Sequence, residues 1–332
     1  MKSGPVPRPG VYELYWRFAA RRQAAFERRI AGEPRPWTED GILQRFKFCN
    51  VFRAADRVSQ YLIRQVAYGQ TDGSERDRLF RIVAFRTFSR EATWDGLTQW
   101  LGRPPSLEDL SSGRFEHALE DLRASQGKLY TGAFILCATK AYGFDLKHRN
   151  HVALFKDMFL KSRLAERLLV ARSLKEIVDL LGSFPLMGPF MSYQTAIDLN
   201  YSDLINFDED DYTQAGPGAL RGIAKVFKDT KGHSPADVIQ WMVAQQEAEF
   251  KRLGLDFKGL RGRRLHAIDC QGLFCETDKY CREAVPELAS NRTRIKARFT
   301  PSTAPLQYFF PPKWGINGRQ STEVEHPAAV FR

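Results

Sequence analysis

Four acids stand in a row at Asp208, Glu209, Asp210 and Asp211, and 20 residues before the first of them, at Gly188, lies the turn of the stretch SFPLMGPFMSYQ. A carboxylate taken partly out of water can stabilise a developing cation or orient an attacking water molecule. The same run also fits a solvated turn whose charge favours a helix N-terminus. The upstream turn bears on the choice. A helix through Leu180 and Leu181 is expected to stop near Gly182, and a second to start at Pro189, a position where proline fits the first turn. Backbone N–H groups left open around Met187 and Gly188 would then sit at the positive end of a helix dipole, where a phosphate oxygen is a natural ligand. A plain interhelical bend is the alternative.

Other residues carry chemistry by type and spacing. Gly216-Pro217-Gly218, followed by Arg221 and Lys225, suits a second phosphate nest or a helix start packed tightly beneath its neighbour. Asn50, Arg53, Arg57 and Gln60 recur at three- and four-residue steps and fall on one stripe of an expected helix. They suit a polar wall that reads a base edge, or a surface stripe in which Asp56 pairs with Arg53 or Arg57. In AIDCQGLFCETDKYCR, Asp269, Glu276 and Lys279 are candidate pocket groups; Glu276 and Lys279 also fit an i,i+3 ion pair. Phe190, Tyr193 and Gln194 follow the hairpin as further candidate substrate contacts. Arg292 and Arg294 suit salt-dependent contacts to a nucleic-acid backbone.

Positioning these groups falls to helices. The segment YELYWRFAARRQAAFERRIAG is amphipathic, with Leu14, Phe18 and Phe26 on its apolar side, and Gly32 with EPRPW stops it. Several later segments repeat the helical period and few alternate as strands do, so the class is mainly α. A single helical domain over 11–317 is expected, with or without two lobes and a cleft, its hairpin at 180–200, between a flexible leader at 1–10 and a flexible tail at 318–332. Lys and Arg exceed Asp and Glu by 50 to 39, a net charge of +11 that favours a polyanionic partner. Five cysteines without a CxxC pair argue against a disulfide framework or a zinc ribbon and fit a reducing cytoplasm. No apolar run approaches a membrane span, and no GxxxxGK[ST] stretch is present.

The hairpin resembles the helix-hairpin-helix element of the DNA glycosylase superfamily, with Phe184, Pro185, Leu186, Met187 and Gly188 at its five places and Leu186 standing for the usual first glycine. That resemblance implies a catalytic aspartate downstream: Asp211, within the string DDY, with Asp208 in reserve. Phe190 stands where some members carry a Schiff-base lysine, which implies water as the nucleophile. More widely, PWTEDGILQRFKFCNVFRAADRVSQYLI, FPLMGPFMSYQTAIDLNYS, AGPGALRGIAKVF, IDCQGLFCETDKYCR, RTRIKARF and PPKWGIN resemble the alpha-glutamyl/putrescinyl thymine pyrophosphorylase family of DNA base hypermodification. The match runs from about Trp16 to Asn317. It implies a glycosylase-like helical fold and double-stranded DNA with hypermodified pyrimidines, typically of phage, as the partner. The leading expectation is a monofunctional glycosylase that flips such a base and hydrolyses its N-glycosidic bond, with a role in defence against phage. The alternatives are an enzyme that installs a group on a thymine or hydroxymethylpyrimidine, and a DNA-binding module without catalysis. A kinase is set aside for want of the phosphate-binding loop, and neither metal nor cofactor is invoked.

Overall fold

A computed structural model describes residues 3–69, 72–132, 140–288, 291–301 and 307–318. Its helices are α1 (Val11–Ile30), α2 (Gly41–Arg45), α3 (Arg57–Tyr61), α4 (Glu75–Phe88), α5 (Glu91–Leu101), α6 (Leu107–Ser112) and α7 (Arg114–Gln126). They continue as α8 (Lys147–Phe155), α9 (Leu164–Leu169), α10 (Leu174–Gly182), α11 (Pro189–Asn200), α12 (Pro217–Val226), α13 (Pro235–Arg252) and α14 (Ala267–Ala284). Two short strands, β1 (Val6–Pro7) and β2 (Phe227–Asp229), pair antiparallel. The protein is therefore mainly helical. The expected tail at 318–332 falls outside the described residues from 319 onward, as does Cys137.

The chain forms two compact units. One contains Met1–Asp56, Tyr212–Tyr308 and the described part of Ile316–Val324; the other contains Arg57–Asp211 and Phe309–Gly315.

In the first unit, α1 is the amphipathic helix expected, and its buried side is broader than Phe18 and Phe26 because Tyr15 and Trp16 are fully enclosed. Their rings meet Phe274 and Phe250 at centroid distances of 4.9 and 5.1 Å, joining α1 to α14 and α13. Such aromatic pairs add to area burial through edge-to-face geometry. α13 starts on a capping box in which Ser234 and Asp237 exchange side-chain-to-backbone bonds, with Pro235 in the first turn. α12 lies close against α14: a Cβ on Gly222 would stand 2.0 Å from the Phe274 carbonyl oxygen, and one on Gly218 2.3 Å from Cys275 Sγ. These glycines let two helix backbones approach further than any side chain would permit.

In the second unit α4 is the central element, with every residue from Arg78 to Phe88 buried. Phe80 meets Phe115, Phe155 and Phe159, and Arg86 forms an ion pair with Asp198 of α11 in which both side chains are enclosed. Ser74 and Asp77 cap α4, and Ser106 and Asp109 cap α6, the reciprocal arrangement that satisfies open N–H groups at a helix start. The Lys313 ammonium donates to the carbonyls of Ser202 and Ile205 at 3.0 and 2.6 Å, fixing the turn after α11.

The Gly222 contact gives a stability prediction. Gly222→Ala should lower unfolding free energy by about 1–3 kcal/mol, the usual cost of overpacking, because a carbonyl on a helix backbone cannot step aside as a side-chain tip can. Urea unfolding of the variant beside the parent protein measures it; an unchanged midpoint contradicts the close approach.

Candidate active site

The two helices of the turn end and begin where the sequence places them, but the Met187 N–H is not open: it donates to the Phe184 carbonyl at 3.2 Å. α10 ends at Gly182, α11 begins at Pro189, and Phe184 and Met187 turn inward while Gly188 is exposed. Leu186, at the place of the missing glycine, adopts φ 68°, the left-handed region that a glycine would occupy without strain. Phe190 is half-buried in the first turn of α11, whereas Tyr193 and Gln194 are buried within the second unit.

The acidic run is a turn rather than a helix start. Asp208 and Asp211 are exposed, and the Asp208 carboxylate accepts from the Asp210 N–H at 2.9 Å, an Asx turn that engages one of its oxygens locally. At the second glycine pair, Gly216 caps α12 and is buried, and Gly218 faces Cys275. Arg221 and Lys225 do not stand free beside it. Both bind the enclosed carboxylate of Asp278, at 3.1 and 3.0 Å, together with Arg282 at 2.7 Å. Arg292 and Arg294 are exposed.

The expected stripe on one helix is broken. Residues 47–52 are not helical; Lys47 N–H donates to the Ala297 carbonyl, and Phe46 and Arg298 form an antiparallel bridge. A short 3-10 turn covers Arg53–Ala55, Asp56 is extended, and α3 starts only at Arg57. The physical reason is Asp56: its carboxylate accepts the Asn50 N–H at 2.8 Å while the Asn50 amide donates to Ala55 O at 2.6 Å, closing a loop that a continuous helix would pull open. Arg57 and Gln60 accordingly part company with Asn50 and Arg53. Arg57 is exposed and pairs loosely with Glu91 at 3.6 Å, and the buried Gln60 amide is spent on both backbone groups of Phe309.

What remains is a compact cluster inside the first unit. Arg22, from α1, donates to Cys49 O at 3.1 Å and to Asn50 Oδ1 at 2.5 Å. Glu276, from α14, accepts the Cys49 N–H at 2.9 Å and the Lys279 ammonium at 2.6 Å, and Lys279 lies 4.6 Å from the Phe48 ring centre. Asp269 accepts the Arg53 N–H at 2.9 Å and the His266 N–H at 3.1 Å, tying the loop to the start of α14. Five of the residues singled out from sequence, Asn50, Arg53, Asp269, Glu276 and Lys279, therefore meet. Arg22 and Asp56 are the important members that the sequence did not single out for chemistry. A cation on the buried side of α1 facing an apolar run was the available signal.

Electrostatics set Asp56 apart. Desolvation raises its pKa from the ordinary carboxylate value to about 6; the Asn50 N–H pulls the other way, Glu276 adds to the rise, and Arg22 and Arg53 oppose it. Among the described residues the carboxylate's hydrogen bond is to the Asn50 N–H, through one oxygen. The neighbouring Cys49 thiol is pushed well up, first by Asp56 and Glu276, which keeps it protonated and a poor nucleophile. Desolvation also lowers the Arg22 pKa, a cation held in a low-dielectric place. Arg22 and Asn50 are among the residues lining a cavity of about 280 Å³, with Arg29, Arg35, Trp37 and Phe46. Together these groups can accept a proton from a hydroxyl and offset anionic charge beside it.

Comparison with known proteins identifies the family. Residues 9–290 match the family described as 5-hmdU DNA kinase, helical domain. A curated relative, the 5-hmdU DNA kinase of Bacillus phage SP10, is 27% identical over 297 residues, covering 84% of this chain and 46% of the relative. The chain thus spans about half the length of that relative. No solved structure matches it. These findings overturn the expectation of base excision, and with it the hydrolase, glycosylase and defence readings: the family and the relative are named for a kinase. The lack of a GxxxxGK[ST] stretch in this sequence stands beside a match that is to a helical domain and spans 46% of the relative. The relation to DNA base hypermodification holds. Among the described residues no helix is long and apolar enough to cross a membrane. By the extent of the match, the chain belongs to the family of 5-hmdU DNA kinase helical domains.

Proposed function

We propose that this protein acts in the phosphorylation of 5-hydroxymethyldeoxyuridine in DNA, engaging the modified base through the Asp56 cluster. In this reading Asp56 takes the proton from the hydroxymethyl oxygen as that oxygen attacks the terminal phosphorus of a nucleoside triphosphate. The new O–P bond forms as the bridging P–O bond breaks, and the nucleoside diphosphate leaves. Arg22 and Arg53 offset the charge that gathers on the transferred group. A carboxylate of pKa about 6 suits the role, being ionised at neutral pH while remaining a stronger base than an ordinary one. The observation that carries the reading is the family match, which spans every residue of the cluster from Arg22 to Lys279.

DNA is the implied partner; the Gly188 N–H at the start of α11 is proposed as a phosphate contact in the manner of a helix-hairpin-helix element, although the Met187 N–H is taken up by the Phe184 carbonyl, and the exposed Arg292 and Arg294 are proposed separately as backbone contacts. Asp208 and Asp211 have no place in this chemistry.

A duplex carrying one 5-hydroxymethyldeoxyuridine, incubated with the protein and terminally labelled ATP, should gain label on the modified base, and a thymine duplex should not. Transfer should rise with pH through about 6, as the base form of Asp56 fills, and fall by about 100-fold or more in Asp56→Asn. No transfer, transfer indifferent to Asp56→Asn, or release of free base contradicts the proposal.

Stability should respond to the same group with a definite sign. The folded-state pKa lies above the unfolded value, so the folded protein binds the extra proton between about pH 4 and 6 and loses stability as pH rises through that window. Asp56→Asn keeps an acceptor for the Asn50 N–H and escapes that loss. Thermal unfolding should therefore find the variant close to the parent at pH 4 and more stable at pH 7, by about 2 kcal/mol once screening of the partly exposed side chain is allowed for.

A further inference from the structure

Within the unit that contains Arg57–Asp211, the end of α7 and the start of α8 enclose a cavity of about 160 Å³. Arg123, Tyr130, Lys147 and His148 supply its polar lining, and no carboxylate is among the described residues around it. His148 is the member that packing alone does not explain. The residue is 2% exposed and its Nε2 has no hydrogen-bond partner. Buried polar groups are nearly always paired, so an orphan on a cavity wall points to a missing ligand. Desolvation lowers the His148 pKa, with Arg123 and Arg149 acting in the same direction and Glu120 and Glu116 against it. The ring is therefore neutral near pH 7 and carries one N–H donor.

The backbone beside that ring is equally unspent. α8 starts without a side-chain cap, and the Leu146 carbonyl takes the N–H groups of Arg149 and Asn150 at 3.2 and 3.3 Å. The His148 N–H, one residue earlier, is left at the positive end of the helix dipole. Two cations stand around this helix start. The Lys147 ammonium lies 4.2 Å from the Tyr130 ring centre, while the Tyr130 hydroxyl is engaged with His151 Nδ1 at 2.8 Å. Arg123 is exposed and forms no ion pair with a described residue. The acids of α7 are held by other partners, Glu120 by Arg149 at 2.9 Å and Glu116 by Lys156 at 3.4 Å. Positive charge, open donors and no facing carboxylate together select an anion.

Size narrows the anion. The cavity is about half the volume of the smallest ordinary small-molecule sites, about 300 Å³, which suits a single tetrahedral oxyanion and leaves no room for a nucleoside. Its open side lets the anion remain attached to something larger. We infer that the start of α8, with Arg123, Lys147 and His148, is a binding site for one phosphate group. The two cations offset its charge, and the His148 imidazole and the first turn of α8 supply hydrogen-bond donors to its oxygens. The site lies in a different unit from the Asp56 cluster, and its existence does not depend on the transfer chemistry proposed there. Two sources present this ligand: a phosphate of a DNA backbone, and free phosphate in solution.

Both are tested with the full chain. Inorganic phosphate is titrated by calorimetry, and a short unmodified duplex by fluorescence anisotropy across a salt series. Each probe is also followed through the ring signals of His148 in proton–nitrogen NMR, assigned among six histidines by their loss in His148→Gln. Affinities are compared in Arg123→Glu and in Arg172→Glu, the latter at an exposed arginine outside the cavity, with circular dichroism confirming that each variant is folded. Phosphate that binds saturably, displaces the His148 signals and weakens about tenfold in Arg123→Glu alone supports a site for the free ion. A duplex that displaces the same signals, with a loss confined to Arg123→Glu and a salt slope shallower by about 1, supports a backbone phosphate. His148 signals unmoved by both probes, or affinities that do not separate the two arginine variants, overturn the inference.

Discussion

The loop from Cys49 to Asp56 is held by side chains where a helix might have been expected, and the bond from the Asn50 N–H to the Asp56 carboxylate is its keystone. A charged acceptor makes a stronger bond than a neutral one. Here it also fixes the charge in place, because one oxygen is occupied by the loop. Desolvation by the surrounding structure then raises the carboxyl pKa, and the cost of carrying that charge is partly met by Arg22 and Arg53. The loop's geometry and the acid's basicity thus have one origin. The bond acts with the Phe46–Arg298 bridge and the Glu276 and Asp269 contacts to hold the chain out of a helical course between α2 and α3.

Around this keystone the first unit is arranged as support. α14 supplies Asp269 and Glu276, which accept backbone N–H groups of Arg53 and Cys49, so the loop is pinned from two points on one rigid helix. α14 is in turn fixed by the glycine contacts of α12 and by the enclosed Asp278, which gathers Arg221, Lys225 and Arg282. Rings of Tyr15, Trp16 and Phe274 join α1, which carries Arg22, to the same helix. A site whose members come from helices distant in sequence needs this kind of rigid backing, since small displacements of a catalytic group cost rate steeply.

Much of the helical frame was legible in the residues. The periodicity of α1, the stop at Gly182 and the start at Pro189 follow from amphipathic spacing and from proline's fixed φ, all local effects. The stripe from Asn50 to Gln60 failed for a reason that spacing does not carry. Its polar residues have helical intervals, yet Asp56 and Asn50 bond to one another's backbone neighbourhood, and that local competition defeats the helix. Arg221 and Lys225 looked like free cations because their partner, Asp278, lies more than fifty positions further on. Asp208 and Asp211 drew attention through charge density and distance from the hairpin, whereas Asp56, an isolated acid between arginines, carried no such mark. What distinguishes it is desolvation, a property of the folded neighbourhood.

The central claim is that Asp56 is a raised-pKa base facing a modified pyrimidine, and carbon-13 NMR of the aspartate carboxyl carbons, with Asp56 assigned by its loss in Asp56→Asn, tests it most directly. The account predicts a titration centred near pH 6 in the free protein, displaced on adding a duplex that contains 5-hydroxymethyldeoxyuridine and undisturbed by the thymine duplex. A midpoint near the ordinary carboxylate value, or equal response to both duplexes, would contradict it.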